Sequence, residues 1–181
     1  MLAFFCREPY HTAKKESTKC LICGKIGPRK ARFMRDQSTV EKLSHFFQGN
    51  QEAVALGLML VHILDVWDDL IDKDREPSAA EINRMMWFCI SGLPRNTFYR
   101  QFQDELTPIF EVGVFNWIAA DELKRRGGQK ECEVANVIRH SISDLFVHMA
   151  RLIGGFEWAA TVTPEIKLLA QNDTLEEYMK G

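Results

Sequence analysis

The sequence predicts an all-α protein: a single helical bundle of six to eight helices over residues 36–181, behind a basic segment, residues 1–35. Three observations predict it. From Ser38 onward, helix start and stop signals recur at helix-length intervals. Between them the apolar residues repeat with the helical period, and no convincing alternating strand is present. The chain has 181 residues and is 46% hydrophobic, enough for one domain with a proper core.

The elements follow in order. Ser38-Thr-Val-Glu41 reads as a capping box whose helix stops near Gly49. Asn50 can cap a long helix over 52–73. Ser78-Ala-Ala-Glu81, just after Pro77, is a second capping box, opening a helix that ends near Gly92. Pro94-Arg95-Asn96 reads as a turn, with Asn96 capping a short helix. Thr107-Pro108 reads as a cap followed by proline at the first helical position, and that helix runs to Gly127-Gly128. Another helix spans 130–153 and stops at Gly154-Gly155. Thr163-Pro164 and Asp173-Thr-Leu-Glu176 open two short final helices.

Composition excludes some function classes. The net charge of −2 gives no overall argument for nucleic acid. The longest apolar run, 53–64, falls short of the roughly 18 residues a membrane span needs. The N-terminus lacks the basic start and long apolar stretch of a signal peptide, so cytoplasmic is the expected location. Five cysteines at irregular spacing do not form a secreted disulfide framework, and Cys89 and Cys132 read as packed thiols. The charge is unevenly spread: residues 1–35 hold nine Lys/Arg against two acids, the remainder 14 against 23.

The densest chemistry is Asp65-Val-Trp-Asp68-Asp69-Leu-Ile-Asp72. On a helical wheel, Leu56, Leu60, Ile63, Leu64, Trp67, Leu70 and Ile71 share a broad apolar face. The four aspartates lie opposite, within about 100° of one another, with His62 at the edge of their arc. Carboxylates this close repel, and either solvent or a divalent cation must relieve them. Mg²⁺ is suited to carboxylates one turn apart, together with waters and phosphate oxygens. Leu58 and Val61 occupy the same arc upstream, so this side is not plainly solvent.

Asp68-Asp-Leu-Ile-Asp72 resembles the first aspartate-rich motif of class I isoprenoid synthases. The resemblance implies Mg²⁺ clamping a prenyl diphosphate, with Asp68 and Asp72 as main ligands and Asp69 between them. All-α nucleotide pyrophosphatases are a second helical Mg²⁺ family of fitting size, and Asp65-x-x-Asp68 and Asp69-x-x-Asp72 mimic half of their E-x-x-E pattern. A broader resemblance rests on Trp67-Asp-Asp-Leu-Ile-Asp72, Leu93-Pro-Arg-Asn-Thr-Phe-Tyr99, Asn116-Trp117 and Gly154-Gly155. These look like a family of short bacteriophage and prophage proteins of unknown function, over most of residues 45–180. That likeness implies a phage source, hence the host cytoplasm, and supplies no activity.

A metal site needs a second helix. Asn116 sits on an apolar face and either ties two helices or lines the site. His140 and Asp144, four apart on the 130–153 helix, are candidate ligands; Glu111 and Asp121 are further candidates to face the acids. Arg95, Arg139 and Arg151 are candidate phosphate contacts. Near the start, Cys20-Leu-Ile-Cys23-Gly24-Lys25 is half a zinc knuckle, which Cys6 and His11 would complete. The alternatives there are a basic tail with free thiols, or a natural start at Met34. If the segment folds on Zn²⁺, its Lys and Arg are the one expected route to nucleic acid.

The leading expectation is therefore a Mg²⁺-dependent protein acting on a diphosphate-containing substrate, a nucleotide or a prenyl diphosphate. Asp65, Asp68, Asp69 and Asp72 would bind metal, and His62 would serve in acid–base catalysis or support the ligands. The alternative is a non-enzymatic phage accessory protein whose acidic helix face docks a basic partner.

Overall fold

The computed structural model describes residues 37–73 and 75–171, and every regular element among them is helical. The basic segment, with Cys6, His11, Cys20 and Cys23, lies outside the described residues, as does the helix expected from Asp173. No helix among the described residues is long and apolar enough to cross a membrane.

Helix α1 spans Gln37–Phe46 and buries Leu43 and Phe46. Ser38 lies within the helix instead of capping its start. Helix α2, Gln51–Asp72, is capped as expected: Asn50 Oδ1 accepts from Ala53 N at 3.0 Å. Its buried row runs through Ala53, Leu56, Leu60, Val61 and Val66. Leu70 and Ile71, expected on the core face, are exposed. The last turns of α2 reach past the main core and are held through their acids.

Helix α3, Ala79–Trp87, carries the reciprocal Ser78–Glu81 capping box. Gly92 does not stop the chain there. A π-helical turn, Phe88–Gly92, leads into a short helix α4, Leu93–Arg95, and this widened turn leaves Cys89 exposed instead of packed. Asn96 ends α4 and caps α5, Thr97–Gln101, by accepting from Tyr99 N at 2.8 Å. The same side chain donates to Glu52 O at 2.9 Å, which ties α5 to the start of α2.

Helix α6, Gln103–Arg126, begins one turn before the expected Thr107-Pro108 start. Pro108 stands inside it and supplies no backbone donor, and the Thr107 hydroxyl is buried without a partner among the described residues. Gly127, at φ 75°, ends α6 as expected, and α7 follows over Gln129–Arg139. The expected 130–153 helix is two helices. The chain turns at His140–Ile142, with Ser141 N donating to Ile138 O at 3.1 Å and Ser143 Oγ to His140 O at 2.7 Å. Serine hydroxyls and tight i→i+3 bonds satisfy the carbonyls a helix would otherwise use. Helix α8, Ser143–Ala170, breaks at Gly155, whose φ of 80° and ψ of −173° suit glycine alone. Thr163-Pro164 lies within α8, and the Thr163 hydroxyl bonds back to Ala159 O at 2.7 Å.

The main core joins α1, α2, the start of α6 and both halves of α8 through Leu43, Phe46, Leu60, Leu106, Met149 and Val162. A separate small cluster, Ala120 and Ala135 with Leu123 and Ile138, holds α6 against α7. The far half of α6 and α7 thus form a satellite of the main core. Its attachment to α2 depends on the side chains described next.

Candidate functional site

Asp68 and Asp72 lie one turn apart on α2, and both accept from Nη2 of Arg139 on α7, the Asp72 bond measuring 2.6 Å. Arg139 Nη1 stands 3.6 Å from an Asp121 carboxylate oxygen on α6. The guanidinium lies 5.0 Å from the centre of the Trp117 ring, and that ring stacks on Trp67 of α2 at 4.3 Å and 32°. The arginine side chain is only 7% exposed, Asp72 12% and Asp68 29%. A desolvated, delocalised cation thus bridges the two helices, with aromatic faces on its flank.

Asp69 has its own arginine. Arg75 donates to Asp69 Oδ2 from Nε at 3.0 Å and from Nη2 at 2.5 Å, and to Glu81 Oε2 from Nη1 at 3.0 Å. Glu81 is also the capping-box acid of α3. The Arg75 hydrogen bond and then the Ser78 amide pull its carboxyl down to about 2. One arginine therefore ties the end of α2 to the start of α3.

Asp65 is different. Its Oδ2 is buried with no hydrogen-bond partner among the described residues. Burial, and then the charges of Asp69 and Asp68, push its carboxyl up to about 7. His62 is buried, donates from Nε2 to Glu81 O at 3.2 Å, and meets the Phe88 ring edge-on at 5.4 Å.

The other candidates scatter. Asn116 donates to Ser141 Oγ at 3.0 Å, which ties α6 to the turn after α7. His140 donates from Nδ1 to Asn136 O at 2.9 Å, within its own turn. Since the turn splits the expected helix, His140 and Asp144 do not share one helical face, and Asp144 pairs with Lys167 instead. Glu111 is exposed on α6, and Arg95 is exposed at the end of α4. Arg151 pairs with Glu105 at 3.0 Å and borders a separate groove of about 660 Å³ between α6 and α8. Pro108, Ile109, Val112, Val147, Phe156 and Ala159 line that groove. At its edge, burial and the Arg151 charge lower the His148 pKa.

The acids as arranged do not fit a divalent cation. Asp68, Asp69 and Asp72 already accept from guanidinium groups, whereas Mg²⁺ demands near-octahedral oxygens at about 2.0–2.1 Å. Among the described residues, no group of three or more His, Cys, Asp or Glu side chains is placed to hold a metal ion. Sequence reasoning missed Arg75, Trp67 and Trp117 as parts of this cluster and gave Arg139 a phosphate role. A signal for Arg139 was present: it lies on α7 one turn from Ala135, on a face with little other charge. No protein-family model, no curated protein and no solved structure matches this chain.

Proposed function

We propose that this chain is a non-enzymatic binding protein that docks protein partners through apolar helix faces. The observation that supports this reading is the set of large apolar side chains left exposed on α6, α7 and α8. Phe115 on α6 and Val137 on α7 stand 70% and 67% exposed. Phe156, at the break in α8, is 76% exposed beside the groove. Exposed apolar side chains beside an apolar groove mark interaction sites. The acidic face expected to dock a basic partner is a weaker candidate, because its charge is matched internally by Arg139 and Arg75.

The test uses the full chain and its Phe156→Asp variant, matched for helicity by circular dichroism and exposed to host-cell extract. The expected result is a partner retained in fixed ratio by the parent and lost by the variant. Mg²⁺-dependent turnover of a nucleoside or prenyl diphosphate, abolished by Asp68→Ala, overturns the proposal.

A second reading, a Mg²⁺-dependent protein acting on a diphosphate-containing substrate, is favoured by one observation: the unpartnered, buried Asp65 Oδ2 beside Asp68 and Asp69. It requires Arg139 to give way. Thermal melting with Mg²⁺ tests it, since a site saturated about 100-fold over its Kd stabilises by about 2.7 kcal/mol. A melting temperature unmoved by Mg²⁺ in both the parent and Arg139→Met removes this reading.

A further inference from the structure

Helix α3, the π-helical turn and α4 form one continuous run of helical backbone from Ala79 to Arg95. One side of it packs on α2, where Gly92 is buried and a Cβ added to it would stand 2.8 Å from Met59 Sδ. The other side is open. Asn83, Met86, Trp87 and Ile90 follow at i, i+3, i+4 and i+7, which places them together, and all four are exposed. Met86, Trp87 and Ile90 stand 46, 55 and 71% exposed. Helix α3 itself buries none of its residues.

The shape of this stripe suits a helix. Asn83–Trp87 and Met86–Ile90 are neighbouring i,i+4 ridges, and the groove between them takes a ridge of another helix. The Trp87 ring is already held: its Cζ3 would lie 3.5 Å from a Cβ at Gly92, and the Phe88 ring stands 5.6 Å away. An aromatic anchor fixed before binding loses little freedom on binding.

The charges beside the stripe select the occupant. Residues 82–103 hold three arginines and no acid. Arg84 lies one turn before Trp87, and Arg95 one turn beyond the Gly92 that the ring covers. Arg75, Arg125, Arg126, Arg139 and Arg151 all sit in ion pairs. Arg84, Arg95 and Arg100 are exposed and pair with no acid among the described residues. Glu52, which reaches this stretch from α2, is turned onto Asn96 Nδ2 and Thr97 N. Guanidinium forks bind carboxylates bidentately. Three arginines fall short of the roughly 4–8 basic residues that hold a chain to an anionic membrane, and of the roughly 6–10 phosphate contacts of a duplex binder. Residues 36–181 hold 14 Lys/Arg against 23 acids, so an extended polyanion is repelled by the rest of the body. A short acidic segment meets only the arginines.

We propose that the open α3–α4 face docks an acidic amphipathic helix of a partner protein, its apolar side on Met86, Trp87 and Ile90 and its carboxylates on Arg84 and Arg95. This rests on the reading above that exposed apolar helix faces are docking surfaces, and it adds a face and the chemistry of its partner.

Selection from a displayed library of random, helix-length peptides on the full chain tests it. The expected winners carry Asp or Glu beside apolar residues spaced i, i+3, i+4 and i+7. A synthetic winner is expected to bind Trp87→Asp at least about tenfold more weakly than the parent, with Ile90→Asp used in its place if Trp87→Asp loses helicity. Arg84→Glu together with Arg95→Glu is expected to weaken the same peptide about tenfold and to strengthen its Lys-for-Glu counterpart. No winner, winners without acids, or winners indifferent to the apolar variants overturn the proposal. Binding of the full chain to phosphatidylserine vesicles or single-stranded DNA that the arginine variants abolish overturns it in favour of an anionic surface. Winners lost by Phe156→Asp and kept by Trp87→Asp sink this face alone and leave the wider reading standing.

Discussion

Replacing Arg139 with Met removes the cation that Asp68 and Asp72 share while keeping most of the aliphatic volume. Breaking a buried pair by removing one partner costs about 3–5 kcal/mol. Asp72 is 12% and Asp68 29% exposed, so water relieves part of that cost, and the lower half of the range applies. The stacked Trp117 contact adds about 0.5–2 kcal/mol. We expect a loss of roughly 3.5–6 kcal/mol, read by urea unfolding at neutral pH, and a Tm lower by about 10–20 °C. Asp68→Asn provides an internal check: in the Arg139→Met background it removes one of two facing carboxylates left without their shared cation, and should recover part of the loss. A loss under about 1 kcal/mol with an unchanged m-value, or no recovery on Asp68→Asn, would refute the argument that this bridge holds the hairpin to α2.

Three further outcomes are expected. Asp65 has a folded pKa of about 7 against an ordinary 3.8, so the folded state keeps a proton that the unfolded chain has lost. Its contribution to stability falls as pH rises from about 4 to about 7 and is flat above, by at most roughly 4 kcal/mol. Asp65→Asn should remove that slope and melt higher than the parent at pH values above neutral; an unchanged Tm–pH curve counts against it. Gly155→Ala should cost about 1–3 kcal/mol by denaturant unfolding, because its φ of 80° with ψ of −173° is closed to side chains. Ser78→Ala should cost about 1 kcal/mol through its half of the capping box, and a stability unchanged within error would count against that cap.

Much of the fold was legible because its signals are local. Asn50, Ser78, Asn96 and Gly127 act within four residues of themselves, and each ends or begins a helix where the sequence placed it. Thr107-Pro108 and Thr163-Pro164 carry a similar local signal, yet both lie inside helices. There the packing of Leu106 and Val162 in the main core outweighs one missing backbone bond. The turn at His140–Ile142 has no glycine or proline, so periodicity ran straight through it. The helical wheel placed Asp65, Asp68, Asp69 and Asp72 together, but which cation relieves them is a matter of tertiary structure. Arg139 is 67 residues from Asp72, and no spacing rule links them.

The break at Gly155 has one more consequence. It redirects the chain so that Trp158 donates its indole N–H to the Phe46 carbonyl at 2.9 Å, across 112 residues. His45 meets the same ring edge-on at 5.5 Å. The first and last described helices therefore share one lock, and neither can fray alone. In native-state hydrogen exchange, α1 amides should open with those of 156–170 as one cooperative unit, while the α6–α7 hairpin opens separately at lower free energy.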